Sequence, residues 1–134
     1  MKPIVFVCVH NSGRSQMAEA FFNHLAAERG LDVRAESAGT VPGDAVNPVA
    51  AEAMLELGIS LEGQSPSLLT GEVVERADRL ITMGCGVEAA ACPAGSFFTE
   101  DWGLDDPHGK SLDEVRPVRD QVRARVEALL DSLK

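Results

Sequence analysis

Apolar and polar positions along the chain follow two patterns in turn, and these patterns predict strands and helices. Residues 4–8 form a continuous apolar run rich in β-branched side chains, which is typical of a strand buried on both faces. Residues 15–28 then place Met17, Phe21 and Leu25 at helical spacing. The whole pattern predicts strands over residues 4–8, 33–37, 79–83 and 96–98, and helices over residues 15–28, 49–57, 68–76 and 111–133.

Short polar motifs mark where two of these helices begin. Asn47-Pro48 predicts a helix start, with Asn47 as the N-cap and Pro48 at the first helical position. Ser111 and Glu114 have the spacing of a capping box for the last helix. Pro117 lies inside the last helical pattern, so we expect a first turn that is either kinked or separate.

The alternation of strands and helices indicates the α/β class. We expect one domain over residues 1–134, with a four-stranded parallel sheet and helices on both faces. Ligands of such sheets bind beyond the carboxyl ends of the strands, and Cys8 stands at such an end.

Charge and hydropathy narrow the classes of partner. With 21 acidic and 12 basic residues the 134-residue chain has a formal charge of −9, which is the opposite of what a nucleic-acid binder needs. The longest apolar run, residues 4–9, is too short to span a membrane, and we expect no signal peptide. We therefore expect the protein in the cytoplasm, and we expect it to be a monomer. In that reducing compartment, an odd count of three cysteines argues against a disulfide framework.

The segment from Cys8 to Ser15 has the composition of an anion-binding loop with a nucleophile. Its backbone N–H groups and the following helix N-terminus form a concavity for an oxyanion, and Asn11 and Gly13 tolerate left-handed backbone. Arg14 offers a planar two-pronged donor, and all these groups favour the thiolate of Cys8, to which the Ser15 hydroxyl can donate. The predicted anion-binding residues are Val9, His10, Asn11, Ser12, Gly13, Arg14 and Ser15.

The alternative interpretation of this loop is structural. A single cysteine after a strand is often a buried core thiol, and a single arginine is often a surface cation. Here Cys8 and Arg14 stand six residues apart at a strand-to-helix junction, with asparagine, serine and glycine between them, which favours the functional interpretation.

The chain resembles a known family in the order of its motifs. Cys-x5-Arg-Ser followed by Gln-Met-Ala-Glu-Ala resembles the low-molecular-weight tyrosine phosphatase fold, and more closely the thioredoxin-coupled arsenate reductases built on it. The resemblance covers nearly the whole chain and includes Ser37-Ala38-Gly39, Asn47-Pro48, Cys85, Cys92-Pro93, Asp101-Trp102 and Leu104-Asp105-Asp106-Pro107.

Cys85 and Cys92 are two more thiols than phosphatases of this fold need. Two incidental cysteines or a metal pair are the other interpretations, but a seven-residue separation without a nearby histidine suits zinc poorly. The resemblance implies a relay in which Cys8 attacks arsenate, Cys85 attacks Cys8 to release arsenite, and Cys92 attacks Cys85. It implies thioredoxin as the reductant of the final disulfide.

Two further roles come only from the resemblance. Asp106, directly before Pro107, matches the family's general acid, with the adjacent Asp105 as its rival. Some members bind a potassium ion, and the matching positions here are Asn11, Glu19 and Ser37; we expect no other cofactor.

Other functions stay open at this point. The loop would bind phosphate as well as arsenate, so a low-molecular-weight phosphatase acting on phosphomonoesters is the main alternative. The chain has no tyrosine to hold phosphotyrosine at the mouth of the site. A reductase that uses a small-thiol donor and a protein that only binds As(III) through three thiolates are the others.

Overall fold

The computed structural model describes residues 3–83, 100–102, 104 and 109–133. Its strands are β1 (Ile4–Cys8), β2 (Ala35–Gly39), β3 (Arg79–Thr82) and β4 (Glu100–Asp101), and its helices are α1 (Arg14–Glu28), α2 (Pro48–Leu55), α3 (Gly71–Arg76) and α4 (Leu112–Ser132).

The strands form one parallel sheet in the order β2-β1-β3-β4. Three strands have four or five residues, whereas β4 is a two-residue element that pairs only with the end of β3. The α/β class and the parallel sheet are confirmed, but the fourth strand is shorter than a full strand. The strand predicted over residues 96–98 lies outside the described residues.

Side chains of β1 alternate between two apolar layers, which is why the whole strand is buried. Ile4, Phe6 and Cys8 belong to the larger cluster, which also holds buried residues of α1, α2 and α4. Val5 and Val7 belong to a smaller cluster with Leu69 and Leu80, against which Val73 and Val74 of α3 pack. Helices therefore lie on both faces of the sheet, as predicted.

The second strand is shifted by two residues from its predicted position. It begins at Ala35, whose N–H donates to Asn23 Oδ1 at 2.8 Å, and it ends at Gly39, which pairs with Cys8. Pairing with β1 thus overrides the apolar pattern of residues 33–37.

The third helix begins later than predicted. Leu69 is extended and donates its N–H to Gly39 O at 2.8 Å, so residues 68 and 69 lie beside β2 instead of in a helix. The helix starts after Thr70, whose side chain accepts a hydrogen bond from Val73 N at 3.2 Å.

The last helix is continuous through Pro117, so of the two expected alternatives, a kinked or a separate first turn, the separate turn is wrong. Ser111 and Glu114 form the predicted capping box, which orders this first turn. Packing of Val115, Val118 and further buried residues along one stripe holds it onto the core. None of the helices that the structure describes combines the length and the apolar character needed to cross a bilayer.

Candidate active site

The order in which strands are added to the sheet reverses at β1, so the carboxyl end of β1 is a topological switch point. The chain continues from β1 to β2 on one side, and β3 lies on the other side. Such a point leaves a crevice above the sheet edge, and ligands of open α/β sheets bind there. Cys8, only 4% exposed, is the last residue of β1 and lies at the base of this crevice. We call residues 8–15 the anion loop.

All carbonyl groups of residues 8–13 accept hydrogen bonds from other parts of the protein. Four of them face the segment of residues 40–47, one accepts from the Gln16 side chain, and one begins the hydrogen bonding of α1. The bonds are Thr40 N to Cys8 O (3.3 Å), Val41 N to Val9 O (2.8 Å), Gly43 N to His10 O (2.9 Å), Gln16 Nε2 to Asn11 O (2.8 Å), Asn47 N to Ser12 O (2.7 Å) and Met17 N to Gly13 O (2.9 Å).

The amide groups of the anion loop have the opposite arrangement. Within the part of the chain that the structure describes, the N–H groups of His10, Ser12, Gly13 and Ser15 donate to no protein acceptor. Because neighbouring carbonyl and N–H groups of a tight loop point to different sides, anchoring the carbonyls outward leaves the N–H groups available to an oxyanion. The N-terminus of α1 adds its positive partial charge to the same side.

Among the described residues, two donors lie beside the Cys8 sulfur. Asn11 N donates to Sγ at 3.1 Å, and Ser15 Oγ lies 2.9 Å from it. Asn11 Nδ2 donates to Ser15 Oγ at 2.7 Å, so the hydroxyl accepts there and directs its own hydrogen at the sulfur. This chain of donors stabilises a negative charge on Cys8, as the sequence predicted for Ser15.

Asn11 takes the left-handed conformation that the sequence predicts, with φ 51°. Its side chain also accepts from Ser67 N at 2.9 Å, so this fully buried residue joins the loop to residues beyond β2. Gly13, which also tolerates left-handed backbone, does not adopt it, because it has φ −129° as the N-cap of α1. His10 lies at the exposed lip, and its Nδ1 is 3.0 Å from Val41 O.

The site requires glycine at position 39, and the residue pattern alone did not reveal this. A Cβ at this position would lie 2.5 Å from Val9 O and 3.0 Å from Asn11 N, so only glycine allows β2 to approach the loop this closely. The sequence signal was present in the Ser37-Ala38-Gly39 motif, but its physical reason is long-range.

Arg14 is buried to 5% exposure and held by backbone oxygens. Its Nη1 donates to Met83 O at 3.1 Å and to Leu104 O at 2.6 Å. These bonds fix the guanidinium plane beside the loop and connect it to the end of β3. The sequence predicted a two-pronged anion donor here, but it contained no signal for the two carbonyls.

The other predicted catalytic residues lie outside the described residues. These are Cys85, Cys92 and Asp106, together with the rival acid Asp105.

The structure brings together two of the three residues matched to a potassium site. Ser37 Oγ donates to Glu19 Oε1 at 2.6 Å, and burial is the main cause of a raised pKa of Glu19. Asn11 uses its side chain for Ser15 and Ser67 instead. Among the described residues no group of three His, Cys, Asp or Glu side chains could hold a metal ion, and potassium binding stays a prediction.

Comparison with known proteins agrees with this geometry. The sequence profile of the low molecular weight phosphotyrosine protein phosphatase family matches residues 3–134. A glutaredoxin arsenate reductase of Synechocystis is 39% identical over 131 residues, with 97% of each chain covered.

Solved structures of both arsenate reductases and phosphatases are similar to the chain. An arsenate reductase in the phosphate binding state is 38% identical, covers 100% of each chain and has a TM-score of 0.84. A thioredoxin-dependent arsenate reductase of Corynebacterium glutamicum is 32% identical with a TM-score of 0.77, over 98% of this chain and 61% of that one. The YwlE arginine phosphatase is 30% identical with a TM-score of 0.84, over 98% and 95%.

Proposed function

Because the chain belongs to the low molecular weight phosphotyrosine protein phosphatase family, we propose that its anion loop binds arsenate and that Cys8 reduces it to arsenite. The observation that carries this proposal is the outward anchoring of all six carbonyls of residues 8–13. It turns N–H groups toward a tetrahedral oxyanion directly beside the Cys8 sulfur. The identities of 38% and 39% to arsenate reductases favour arsenate as the substrate.

The first step is nucleophilic attack on the bound oxyanion. The Cys8 thiolate forms an S–As bond to arsenate, and one arsenate oxygen leaves as water after taking up protons. We propose Asp106 as the acid that supplies the proton to this oxygen. Arg14 and the loop amides stabilise the negative charge that the oxyanion carries throughout the step.

The second step transfers two electrons to arsenic. Cys85 as thiolate attacks Cys8 Sγ, the S–As bond breaks, and its electron pair remains on arsenic, which leaves as arsenite. Cys92 then attacks Cys85, so Cys8 departs as a thiolate and a Cys85–Cys92 disulfide remains. Two electrons from an external dithiol reduce this disulfide and complete the cycle.

We propose thioredoxin as this dithiol and the cytoplasm as the compartment, because the third cysteine gives the chain a disulfide that another protein can reduce. The similarity to the thioredoxin-dependent enzyme supports this choice. The similarity to a glutaredoxin arsenate reductase makes glutathione with glutaredoxin the rival donor. Arsenite production with each purified donor system decides between them.

Phosphatase activity is the second candidate, and the likeness to an arginine phosphatase favours it. Arsenate and phosphate share shape and charge, so a loop that holds one holds the other. The two functions differ in the fate of the covalent intermediate on Cys8. A phosphatase hydrolyses this intermediate with water and needs neither Cys85 nor Cys92.

Cysteine variants assayed in parallel for arsenite release and aryl-phosphate hydrolysis test the proposal. We expect Cys8→Ser to lose both activities, because both need the thiolate. Cys85→Ser should lose arsenite release and keep hydrolysis. Cys92→Ser is the matched control, since it should release arsenite in a single round and then stop at a Cys8–Cys85 disulfide.

Each contrary result has a clear meaning. Unchanged arsenite release by Cys85→Ser would overturn the relay. Equal loss of both activities in Cys85→Ser would contradict the assigned division between the thiols. Hydrolysis of phosphoarginine without any arsenite release by the wild-type protein would establish the phosphatase instead.

A further inference from the structure

A second concave surface lies toward the opposite edge of the sheet from the anion loop. A cavity of about 320 Å³ opens between the start of β3, the residue after β4 and the last turns of α4. Arg79 at its edge pairs with Ile4, four residues before Cys8 on β1, which corresponds to about 13 Å along the strand. The cavity is lined by Arg79, Trp102, Arg125, Ala128, Leu129 and Ser132, and we call it the Arg79/Arg125 cavity.

The two arginines of this cavity differ from the other arginines that the structure describes. Within that part of the chain, Arg79 and Arg125 have neither a hydrogen-bond acceptor nor an ion-pair partner. The others are engaged: Arg29 with Asp131, Arg34 and Arg76 with Glu36, Arg116 and Arg119 with Glu56, Arg123 with Glu127, and Arg14 with two carbonyls.

This pattern is notable because the chain is acidic. It has 21 acidic residues against 12 basic ones, so carboxylates are the more abundant partners. Two carboxylates in the last turns of α4 are already used, since Glu127 lies 3.4 Å from Arg123 and Asp131 lies 2.7 Å from Arg29. Two positive charges that pair with no carboxylate of the described residues thus lie at one cavity, and their field favours an anionic occupant.

Three of the other four lining residues, Trp102, Ala128 and Leu129, are apolar, and the Ser132 hydroxyl is engaged with Leu129 O. Trp102 and Leu129 are 5% and 6% exposed and belong to the main core cluster, so they form a fixed floor. The centroid of the Trp102 ring lies 5.3 Å from the centroid of the Phe6 ring, and this contact holds the indole in place. Positions 125, 128, 129 and 132 lie on one face of α4 because they are spaced by three and four residues.

We propose that the Arg79/Arg125 cavity binds a small organic anion, a carboxylate or phosphate carried on an apolar body. The arginines would bind the anionic group, and Trp102 and Leu129 would contact the apolar part. A volume of about 320 Å³ is at the lower end of small-molecule sites, which limits the ligand to a single ring or a short chain. The site is separate from the anion loop and does not depend on the chemistry proposed there.

Trp102 provides a direct readout because it is the single tryptophan of the chain. We would titrate the reduced full-length protein with cyclohexanecarboxylate and follow the indole N–H signal by NMR and the intrinsic fluorescence. Cyclohexyl phosphate forms the second arm and distinguishes a phosphate from a carboxylate ligand. Cyclohexylmethanol and inorganic sulfate test the apolar body and the anionic group alone.

We expect saturable shifts of the Trp102 signal with at least one of the two cyclohexyl anions, at millimolar concentration or below. The variant Arg79→Gln/Arg125→Gln should bind at least about tenfold more weakly, because it loses both charge-assisted contacts. Arg123→Gln is the matched control, since it removes one charge from the same helix outside the cavity lining. It should bind within about twofold of wild type, because an exposed charge is screened beyond its own contacts.

Several outcomes would overturn the proposal. One is the absence of any Trp102 shift with either cyclohexyl anion up to about 20 mM, a concentration that detects even very weak binding. Equal binding of cyclohexylmethanol would show an apolar cavity without anion recognition. Equal binding of sulfate would show that the apolar part of the ligand does not contribute to binding. Retained affinity in the double variant would show that the two arginines do not bind the anion. Arg125→Gln, at an exposed helical position, repeats that test without risk to folding.

Discussion

The anion loop and the Arg79/Arg125 cavity both place arginine at a proposed anion site, but they are built in different ways. In the loop, backbone groups provide most of the donors, and Arg14 is buried and held by two carbonyls. In the cavity, side chains alone provide the charge, and no carboxylate among the described residues engages them. A site built from backbone depends on the path of distant segments, whereas a site built from side chains depends on charge and exposure.

The largest expected effect comes from pushing one of those distant segments away from the loop. In Gly39→Ala, the new Cβ would lie 2.5 Å from Val9 O, so β2 or the loop must shift. We expect arsenate reduction to fall by about a hundredfold, since a displacement of about 1 Å in a site costs that much. We also expect a loss of about 1–3 kcal/mol in the free energy of unfolding, as is typical of overpacking.

Gly43→Ala is the matched control for this change. Its Cβ would meet only His10 O, at the ordinary contact distance of 3.8 Å, although Gly43 also anchors the loop. Its activity and urea midpoint should stay close to those of wild type. Similar losses in both variants would show that the loop tolerates no change near it, and that the close approach of Gly39 has no special role.

The next effect compares one substitution in the two regions. Arg14→Lys should lower kcat/KM for arsenate at least about tenfold, because a point charge replaces a planar fork that also bonds Met83 O and Leu104 O. Arg125→Lys should change the affinity for the cyclohexyl anion by less than about threefold, because an exposed lysine keeps the charge. Equal tolerance at both positions, measured by steady-state kinetics and by Trp102 fluorescence, would erase the distinction between the two kinds of site.

The smallest effect concerns the half-buried Glu19 of α1, which accepts a hydrogen bond from Ser37 of β2. Burial raises the pKa of Glu19 in the folded protein, so its contribution to stability is present at low pH and is lost as pH rises through that raised value. Glu19→Gln can still accept from Ser37 Oγ, and we expect it to raise Tm by a few degrees at pH 7.5 and not at pH 4.

Glu36→Gln gives the opposite sign and serves as the reference. The hydrogen bond from Arg76 lowers the pKa of Glu36, so its stabilisation is present at neutral pH and is lost on acidification. We expect this variant to lower Tm slightly at pH 7.5. A Tm difference between Glu19→Gln and wild type that does not vary with pH would contradict the assigned cost of burying Glu19.

Sequence reasoning succeeded where the signal is local. The bounds of β1, the cap of α2 at Asn47 and the left-handed Asn11 each depend on neighbouring residues, and each is confirmed. Cys8 and Arg14 were identified because their spacing lies within one loop. The parallel arrangement of the strands also followed from the alternation of patterns.

Prediction from the sequence failed where backbone groups of distant segments form hydrogen bonds with each other. The anchoring of the loop by residues 40–47 uses main-chain N–H groups, which every residue but proline has, so no side chain marks them. For the same reason β2 and α3 were placed two and three residues away from their observed starts. The pairing of Arg14 with two carbonyls likewise has no signature in composition or spacing.

The Met83 and Leu104 carbonyls that accept from Arg14 also bear on how the protein matures. Met83 and Leu104 are 69 and 90 residues away along the chain, and closing such long loops costs entropy that only the near-complete fold repays. A ribosome-bound chain that exposes its first fifty residues therefore carries the oxyanion-binding sequence without its oriented arginine. The oxyanion proposed for this loop would consequently select the folded protein over its folding intermediates, and would stabilise it by mass action only after residue 104 has left the ribosome.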